Sequence, residues 1–355
     1  MPNYNNRIKK LFELTIKEQA SDLHLSVNHP PVLRISGALI PLLKEPRLSS
    51  EDTKSFAFSL MSDIQKEKLL KEREIDFSYN FNDKSRFRVN IFHQKGDISC
   101  ALRLIPADIK TIDELNLPLI LHEFTKASQG FVVICGPSSQ GKSTTLAALI
   151  DEINHTRADH VVTIEDPIEY IFTADKAIID QREVGQDTLS FTKALRSTFR
   201  QDPDVIMVGE MRDAETIATA ITAAETGHLV FATLHTNSAS QTIHRIVDSF
   251  PPQQQSQVRA QLSGSLLGVL SQRLIPKIKG GLTPACEVMI ATPAIANLIR
   301  ENKIHEIPMM VETGLEMGMI SLNRSLADLV KRKEISLENA LNYSLSPSEL
   351  RMLIR

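Results

Sequence analysis

The sequence predicts an α/β chain, in which a larger domain on a mainly parallel sheet follows a smaller α+β domain. Three observations predict it. Four short apolar runs, Phe131–Cys135, His160–Ile164, Val205–Val208 and Leu229–Thr233, alternate with helical periodicity, as strands covered on both faces do. The first run leads into Gly136-Pro137-Ser138-Ser139-Gln140-Gly141-Lys142-Ser143 and then into the apolar helix start Thr144–Ile150. The first 105 residues read differently, as one helix, three short strands, a second helix and three longer strands. A length of 355 residues fits two such domains.

Residues 4–20 read as a helix with apolar positions at Ile8, Leu11, Phe12, Leu14 and Ile16. Ser21–Ser26 alternates as a half-buried strand does. Val32–Ile35 and Leu39–Ile40 form a hairpin across Ser36-Gly37. Residues 49–72 read as one helix, with Ser49 or Ser50 as N-cap and Glu51-Asp52 on the positive end of its dipole. Ile75–Phe81, Arg86–Gln94 and Ser99–Ile105 complete the first domain, 1–105. Residues 106–118, bounded by Pro106 and Pro118, read as a linker with one helical turn around Thr111–Leu115. The larger domain spans 119–355, and its last stretch, 284–355, reads as helices and loops without further sheet.

The glycine loop fits the pattern G-x-x-x-x-G-K-[ST], and each required residue has a physical role. Gly136 and Gly141 let the backbone approach phosphate oxygens without a Cβ clash. Backbone N–H groups and the helix start supply positive potential. Lys142 reaches the β- and γ-phosphates, and the Ser143 hydroxyl ligates Mg²⁺. The expected ligand is therefore a nucleoside triphosphate with Mg²⁺, ATP in the first instance.

Three further segments fall at strand ends, where ligands bind in parallel sheets. Glu165, Asp166 and Glu169 follow the strand Val161–Ile164, with Pro167 stiffening the turn so that Glu169 is aimed at the γ-phosphate. Glu210 ends the strand Val205–Val208, where an acid serves Mg²⁺ directly or through water. His228 and His235 flank the strand Leu229–Thr233, too far apart for one metal. A lone histidine such as His228 is commonly structural, whereas His235 stands at the strand's carboxyl end, suited to sensing phosphate or a neighbouring subunit. Lys193, Arg196 and Arg200 share one helix face, which reads as a solvated basic face, as one pairing with Asp202 and Asp204, or as a surface toward phosphate or a neighbouring subunit. Arg86, Arg88 and Arg103 lie on first-domain strands and matter to catalysis only where that domain supplies charge to the transition state.

Composition narrows the class. Lys plus Arg total 40 and Asp plus Glu 43, so no global basic field for nucleic acid exists and no nucleic-acid partner is expected. No apolar run approaches the length of a membrane span, and residues 1–20 carry charges throughout, unlike a signal peptide. Cys100, Cys135 and Cys286 are far apart, so no four-cysteine zinc site forms and small buried thiols in a reducing compartment are expected.

These segments, in this order, resemble the secretion ATPase superfamily, and more closely the PilT/PilU family of type IV pilus retraction ATPases. The matching stretches include Ala20–Leu25, Arg86–Asn90, Gln181–Val184, Asp202–Asp204, Val208–Asp213, Ala223–Val230 and Ala294–Lys303. The resemblance implies a PAS-like N-terminal domain, a RecA-like ATPase domain and a homo-hexameric ring powering pilus retraction and twitching motility. It implies Gly136–Thr144 as the phosphate loop, Glu169 as catalytic glutamate and Glu210 as the acid on the Mg²⁺ side. It places His228 and His235 in a histidine box and brings Arg88 and Arg103 toward the γ-phosphate. It implies a cytoplasmic location at the inner-membrane pilus base, a membrane platform protein as partner, and a paralogous retraction ATPase as a further one. Ser139-Gln140 departs from the family's Gly-Ser, and Lys95-Gly96-Asp97 from its Asn-Arg-Gly turn. The zinc-binding cysteines of assembly ATPases are missing, which favours retraction over assembly. An accessory ATP-binding module that assists a paralogous motor, with weak turnover of its own, is the alternative.

Overall fold

A computed structural model describes residues 4–35, 37–82, 85–105 and 108–354. The chain divides into two compact units, one of residues 1–108 with Pro167–Ile171, the other of Ile109–Asp166 with Phe172–Arg355.

The first unit runs α1 (Tyr4–Lys17), β1 (Asp22–Leu25), β2 (Val32–Ile35), β3 (Ala38–Pro41), α2 (Ser50–Leu60), α3 (Asp63–Glu72), β4 (Glu74–Asn82), β5 (Ser85–Gln94) and β6 (Asp97–Ile105). The six strands form one antiparallel sheet in the order β3-β2-β1-β6-β5-β4. Alternation decides which face is buried: Phe87, Val89 and Ile91 of β5 point into the core. Phe12 of α1 stacks on Phe87 with centroids 4.1 Å apart. Each such buried side chain contributes about 1.5–3 kcal/mol.

The single helix expected over 49–72 is two. Ser49 caps α2 as expected, in a reciprocal box with Asp52 (Asp52 N to Ser49 Oγ 3.1 Å, Ser49 N to Asp52 Oδ2 2.9 Å). Ser62 then caps α3 through a second box with Gln65. The extended backbone of Met61 and Ser62 ends one helix and starts the next, because a side-chain acceptor competes with helix continuation. The hairpin lies where the sequence put it, although Ser36 falls outside the described residues, as do Pro106 and Ala107 of the linker segment. Thr111 and Glu114 exchange a similar pair of hydrogen bonds before Pro118.

The second unit continues with α4 (Leu121–Lys126), β7 (Gly130–Cys135), α5 (Lys142–Thr156), β8 (His160–Glu165), β9 (Ile178–Glu183), α6 (Phe191–Thr198), β10 (Val205–Val208), α7 (Ala214–Glu225), β11 (Leu229–Leu234), α8 (Ala239–Asp248), α9 (Pro252–Ser265), β12 (Leu266–Pro276), β13 (Leu282–Ile290), α10 (Pro293–Arg300), α11 (Ile307–Thr313), α12 (Leu322–Lys331), α13 (Leu337–Tyr343) and α14 (Pro347–Ile354). Seven strands lie in the order β13-β12-β7-β11-β10-β8-β9. All neighbours are parallel except β12 and β13. β7, β10 and β11 are buried along their whole length, which is why they read as unbroken apolar runs.

Three strands, β9, β12 and β13, join the four that the sequence marks. β13 extends the sheet into a region expected to hold only helices and loops, because it is hydrogen-bonded to β12 over nine residue pairs from Gly268–Ile290 to Pro276–Leu282. β9 is another addition. Its residues are half-exposed and polar at an edge, so they lack the apolar signature of the central strands.

Candidate functional site

β7 delivers the glycine loop at the carboxyl edge of the sheet, and α5 leaves it at Lys142. The loop bends through left-handed backbone at Gly136 (φ 151°), Ser139 (φ 61°) and Gly141 (φ 80°). The strained non-glycine is thus Ser139, while Gln140 is not among the positive-φ residues. A left-handed serine costs about 1–2 kcal/mol. Alternating backbone hand of this kind turns consecutive N–H groups to one side, which suits an anion. The α5 cap is Gly141, which brings no side-chain oxygen to the helix start and leaves the dipole's positive end to an anion. Ser138 and Ser139 are exposed, Pro137, Gln140, Ser143 and Thr144 half-buried.

Lys142 is buried, with 8% exposure. Its Nζ donates to the carbonyls of Gly136 and Pro137, both at 2.8 Å, and stands 3.3 Å from His235 Nδ1. An ammonium has only protons to offer, so Nδ1 accepts and the proton sits on Nε2. That Nε2 faces Glu210 Oε1 at 3.2 Å. Glu210 Oε2 in turn pairs with Arg212 Nη2 at 2.9 Å. One continuous chain therefore joins the loop lysine to the acid at the end of β10. Partial burial works to raise the Glu210 pKa, but Arg212 and His235 outweigh it and hold the carboxyl below its ordinary range. The site so keeps an anion beside the loop's one cation, Lys142.

Gly209 stands where an aspartate precedes the acid in many nucleotide-binding strands. Its N–H donates to Ile164 O at 2.8 Å, and a Cβ there would lie 3.1 Å from the same oxygen. Close approach of β8 thus leaves little room for a side chain at this position. Thr233 holds the turn by donating to Gly209 O, and Met211 N donates to Thr233 O at 3.1 Å.

The two histidines part company. His235 follows Leu234, which pairs with Cys135, so it shares the loop's edge of the sheet. His228 stands at the opposite edge: its carbonyl accepts from Gly130 N, at the start of β7. Six residues of strand, roughly 20 Å, separate that edge from the loop. Its Nδ1 donates to Ala223 O at 2.9 Å, closing α7, and its ring packs edge-on against Phe199. Within one chain His228 does not join the loop.

The acidic turn is split. Glu165 remains in the second unit, buried, accepting from Thr163 Oγ1 at 2.7 Å and Gln181 Nε2 at 3.2 Å. Glu169 lies in Pro167–Ile171 and is part of the first unit, where Arg88 Nη1 is 3.8 Å from its Oε1. Arg88 also grips Asp76, at 2.6 Å, and Arg103 pairs with Asp22 at 3.0 Å. On α6, Arg196 pairs with Glu215, not with Asp202 or Asp204, and Asp204 instead accepts from His160 N at 2.8 Å.

Among the described residues no three His, Cys, Asp or Glu side chains gather as a self-contained metal cage. That is compatible with Mg²⁺, which keeps several waters and is bound through one or two carboxylates together with substrate phosphates. An ionised Glu210 and the Ser143 hydroxyl at the helix start are suitable donors for it.

Sequence reasoning missed Gln272 and Thr145. Gln272 Nε2 donates to Gln140 O at 2.8 Å, across 132 residues of chain, and its Oε1 accepts from Thr145 Oγ1 at 2.7 Å. No local motif marks a glutamine on an unanticipated strand pairing. The Gln140 side chain is itself engaged, its Oε1 accepting from Leu274 N at 2.8 Å. Among the described residues no helix is long and apolar enough to cross a membrane.

Comparison with known proteins bears on this geometry. The family model described as type II/IV secretion system protein matches residues 4–335. The type IV pilus retraction ATPase PilT of Pseudomonas aeruginosa is 46% identical over 340 residues, covering 96% of this chain and 98% of that protein. The type IV pilus ATPase PilU of the same organism is 39% identical, covering 98% of this chain and 91% of its own. A crystal structure of the pilus retraction motor PilT with bound ADP superposes with a TM-score of 0.90 at 48% identity, covering 97% of this chain and 99% of that one.

Proposed function

This chain belongs to the PilT family of ATPases, within the type II/IV secretion system proteins, and on that premise we propose that it powers type IV pilus retraction by Mg²⁺-dependent hydrolysis of ATP as a homo-hexamer. The observation that carries this reading is the chain Lys142–His235–Glu210–Arg212 beside the glycine loop. It sets a buried cation against an ionised acid at the edge of the sheet where nucleotides bind.

In this reading Gly136–Thr144 wraps the phosphates and Lys142 turns its ammonium from the loop carbonyls to the β- and γ-phosphates. Ser143 and Glu210 hold Mg²⁺, which when bound neutralises charge developing on the phosphoryl oxygens. His235 keeps Lys142 and Glu210 in register. Glu169 orients and deprotonates the attacking water. Arg88 and Arg103 supply positive charge near the γ-phosphate, in competition with their carboxylate partners Asp76 and Asp22. His228, at the far edge of its own sheet, serves this scheme by contact with a neighbouring subunit. Motion of domains and subunits as rigid bodies turns hydrolysis into pilus withdrawal at the inner-membrane platform protein, from the cytoplasmic side.

Lys142→Ala tests the reading with a single substitution. Purified variant protein is expected to lose ATP turnover, and cells carrying it to be piliated but unable to retract. Turnover at the wild-type rate overturns the enzymatic scheme. Lost turnover with normal retraction overturns the assignment to retraction.

A second reading, an accessory module that loads a paralogous motor, is favoured by Gln140, whose side chain ties the loop to β12. Wild-type turnover no greater than that of Lys142→Ala supports it.

A further inference from the structure

We propose that Gln272 is a positioning residue for the nucleotide reaction, setting the peptide between Gln140 and Gly141 and with it the affinity for the phosphates. The proposal rests on the reading of Gly136–Thr144 as the phosphate loop.

Gln272 is 3% exposed and lies on β12, one residue past the last β12–β7 pair, Ser271 with Cys135. It therefore flanks the place where β7 becomes the loop. It meets the loop at three points and the first turn of α5 at a fourth. Its backbone oxygen fills the space a Cβ at Gly136 would need. Its Nε2 would lie 2.9 Å from a Cβ at Gly141. The same Nε2 donates to Gln140 O at 2.8 Å, and Oε1 accepts from the buried Thr145 hydroxyl at 2.7 Å. Two residues along, Leu274 N has passed the end of β7 and donates to the Gln140 side chain at 2.8 Å.

The chemistry of the amide is specific. Gln140 O needs a donor and the Thr145 hydroxyl an acceptor, and a carboxamide offers an NH2 donor on one side and a carbonyl acceptor on the other. A trans peptide directs its C=O and N–H to opposite sides. Drawing Gln140 O toward Gln272 therefore fixes the Gly141 N–H on the side away from β12. That N–H precedes the helix start and belongs to the anion-facing series of the loop. A residue 132 positions away in sequence so decides where one of the N–H groups of the loop points. Glutamate at 272 keeps the acceptor for Thr145 but sets a carboxylate oxygen against Gln140 O, which favours turning the peptide over. Methionine keeps the length and removes both hydrogen bonds.

The test is equilibrium binding of a fluorescent ADP analogue, together with the rise in melting temperature on adding ADP, for wild type, Gln272→Glu, Gln272→Met and Gln140→Ala. Both Gln272 variants are expected to weaken binding roughly tenfold or more, the scale of a lost buried hydrogen bond with an unsatisfied partner. They are expected to shrink the ADP-induced rise accordingly. Gln140→Ala keeps the carbonyl and is expected to lose less. Binding by both Gln272 variants within twofold of wild type overturns the proposal. So does a lower melting temperature without nucleotide but an undiminished ADP-induced rise, which marks a merely structural role. If Gln272→Glu fails to fold, Gln272→Met decides. Wild-type protein that does not bind ADP overturns the phosphate-loop reading itself, a result distinct from either.

Discussion

Lys142 Nζ stands 3.3 Å from His235 Nδ1, so the loop lysine reads the imidazole as an acceptor. The histidine is thereby fixed with its proton on Nε2, directed at Glu210 Oε1 3.2 Å away. His235 couples the buried loop cation Lys142 to the Glu210 carboxylate by touching both. His235→Ala is expected to cut ATP turnover on the order of 10–100-fold, the scale on which loss of a group that orients a ligating side chain acts. ADP affinity is expected to change only a few-fold, because Gly136 and Pro137 carbonyls still orient Lys142. Nitrogen NMR on the nucleotide-free protein should show His235 as the Nε2–H tautomer. The Nδ1–H tautomer, or full turnover in the alanine variant, contradicts the coupling.

Of the three carboxylates of the acidic turn Asp166 is exposed, and the two glutamates differ in their surroundings. Glu165 is 8% exposed, with Thr163 and Gln181 donating to its Oε1. Glu169 is a third exposed and lies within reach of Arg88. A base for bulk-derived water needs access, which favours Glu169. Glu169→Gln is expected to lower steady-state turnover by 10²-fold or more, on the order of a lost general base, while ATP binding persists. Glu165→Gln keeps an acceptor for its donors and is expected to do much less. Loss of turnover in Glu165→Gln alone transfers the role to Glu165.

Legibility followed the range over which each feature is determined. The glycine loop, the central strands and the Ser49 cap are set by neighbours in sequence, and all are readable there. The break at Met61-Ser62 is local too, but its Ser62–Gln65 box sits inside a helical pattern that continues on both sides. β13 escapes because its partner, β12, is itself half of a hairpin whose polar residues, Ser271 and Gln272, are buried by pairing and not by composition. The reason for glycine at 136 and 209 lies with backbone oxygens of Gln272 and Ile164, which no local pattern contains. The opposite edges of the two histidines, by contrast, follow from their places at the two ends of one strand, and the register of β11 against β7 agrees.

His160 gives a pH dependence of stability. Both its ring nitrogens face acceptors, Nε2 toward Asp180 Oδ2 at 3.1 Å and Nδ1 toward Asp202 O at 3.1 Å. Burial works against the charged ring, but the hydrogen bonds to Asp180 and Asp202 outweigh it and raise its pKa above the ordinary value. A raised folded pKa means that the native state binds the proton more tightly than the unfolded chain. The stabilisation is thus complete below the unfolded value, about 6.5, and is lost as pH rises through the folded one. Urea midpoints measured from about pH 6 upward should fall through this window in wild type and fall less in Asp180→Asn. Equal slopes in the two proteins contradict the assignment.

Gly136 is held to glycine twice over, and neither reason is the nucleotide. Its φ of 151° is a conformation that side-chain-bearing residues rarely adopt. A Cβ there would also collide with Gln272 O, a backbone atom in a paired strand that has no rotamer with which to yield. Gly136→Ala must therefore move either the loop or β12. Overpacking of this kind costs about 1–3 kcal/mol, read as a lowered urea midpoint in nucleotide-free protein. The displaced loop carries the carbonyl that steers Lys142, so ADP affinity should fall as well. Gly185 also has a positive φ, 87°, with nothing within 4 Å of its Cβ position, and isolates the backbone contribution. Gly185→Ala is expected to cost about 1 kcal/mol from the left-handed backbone alone, with ADP affinity intact. If the two variants lose the same stability and bind ADP equally well, steric contact with β12 is not what reserves position 136 for glycine.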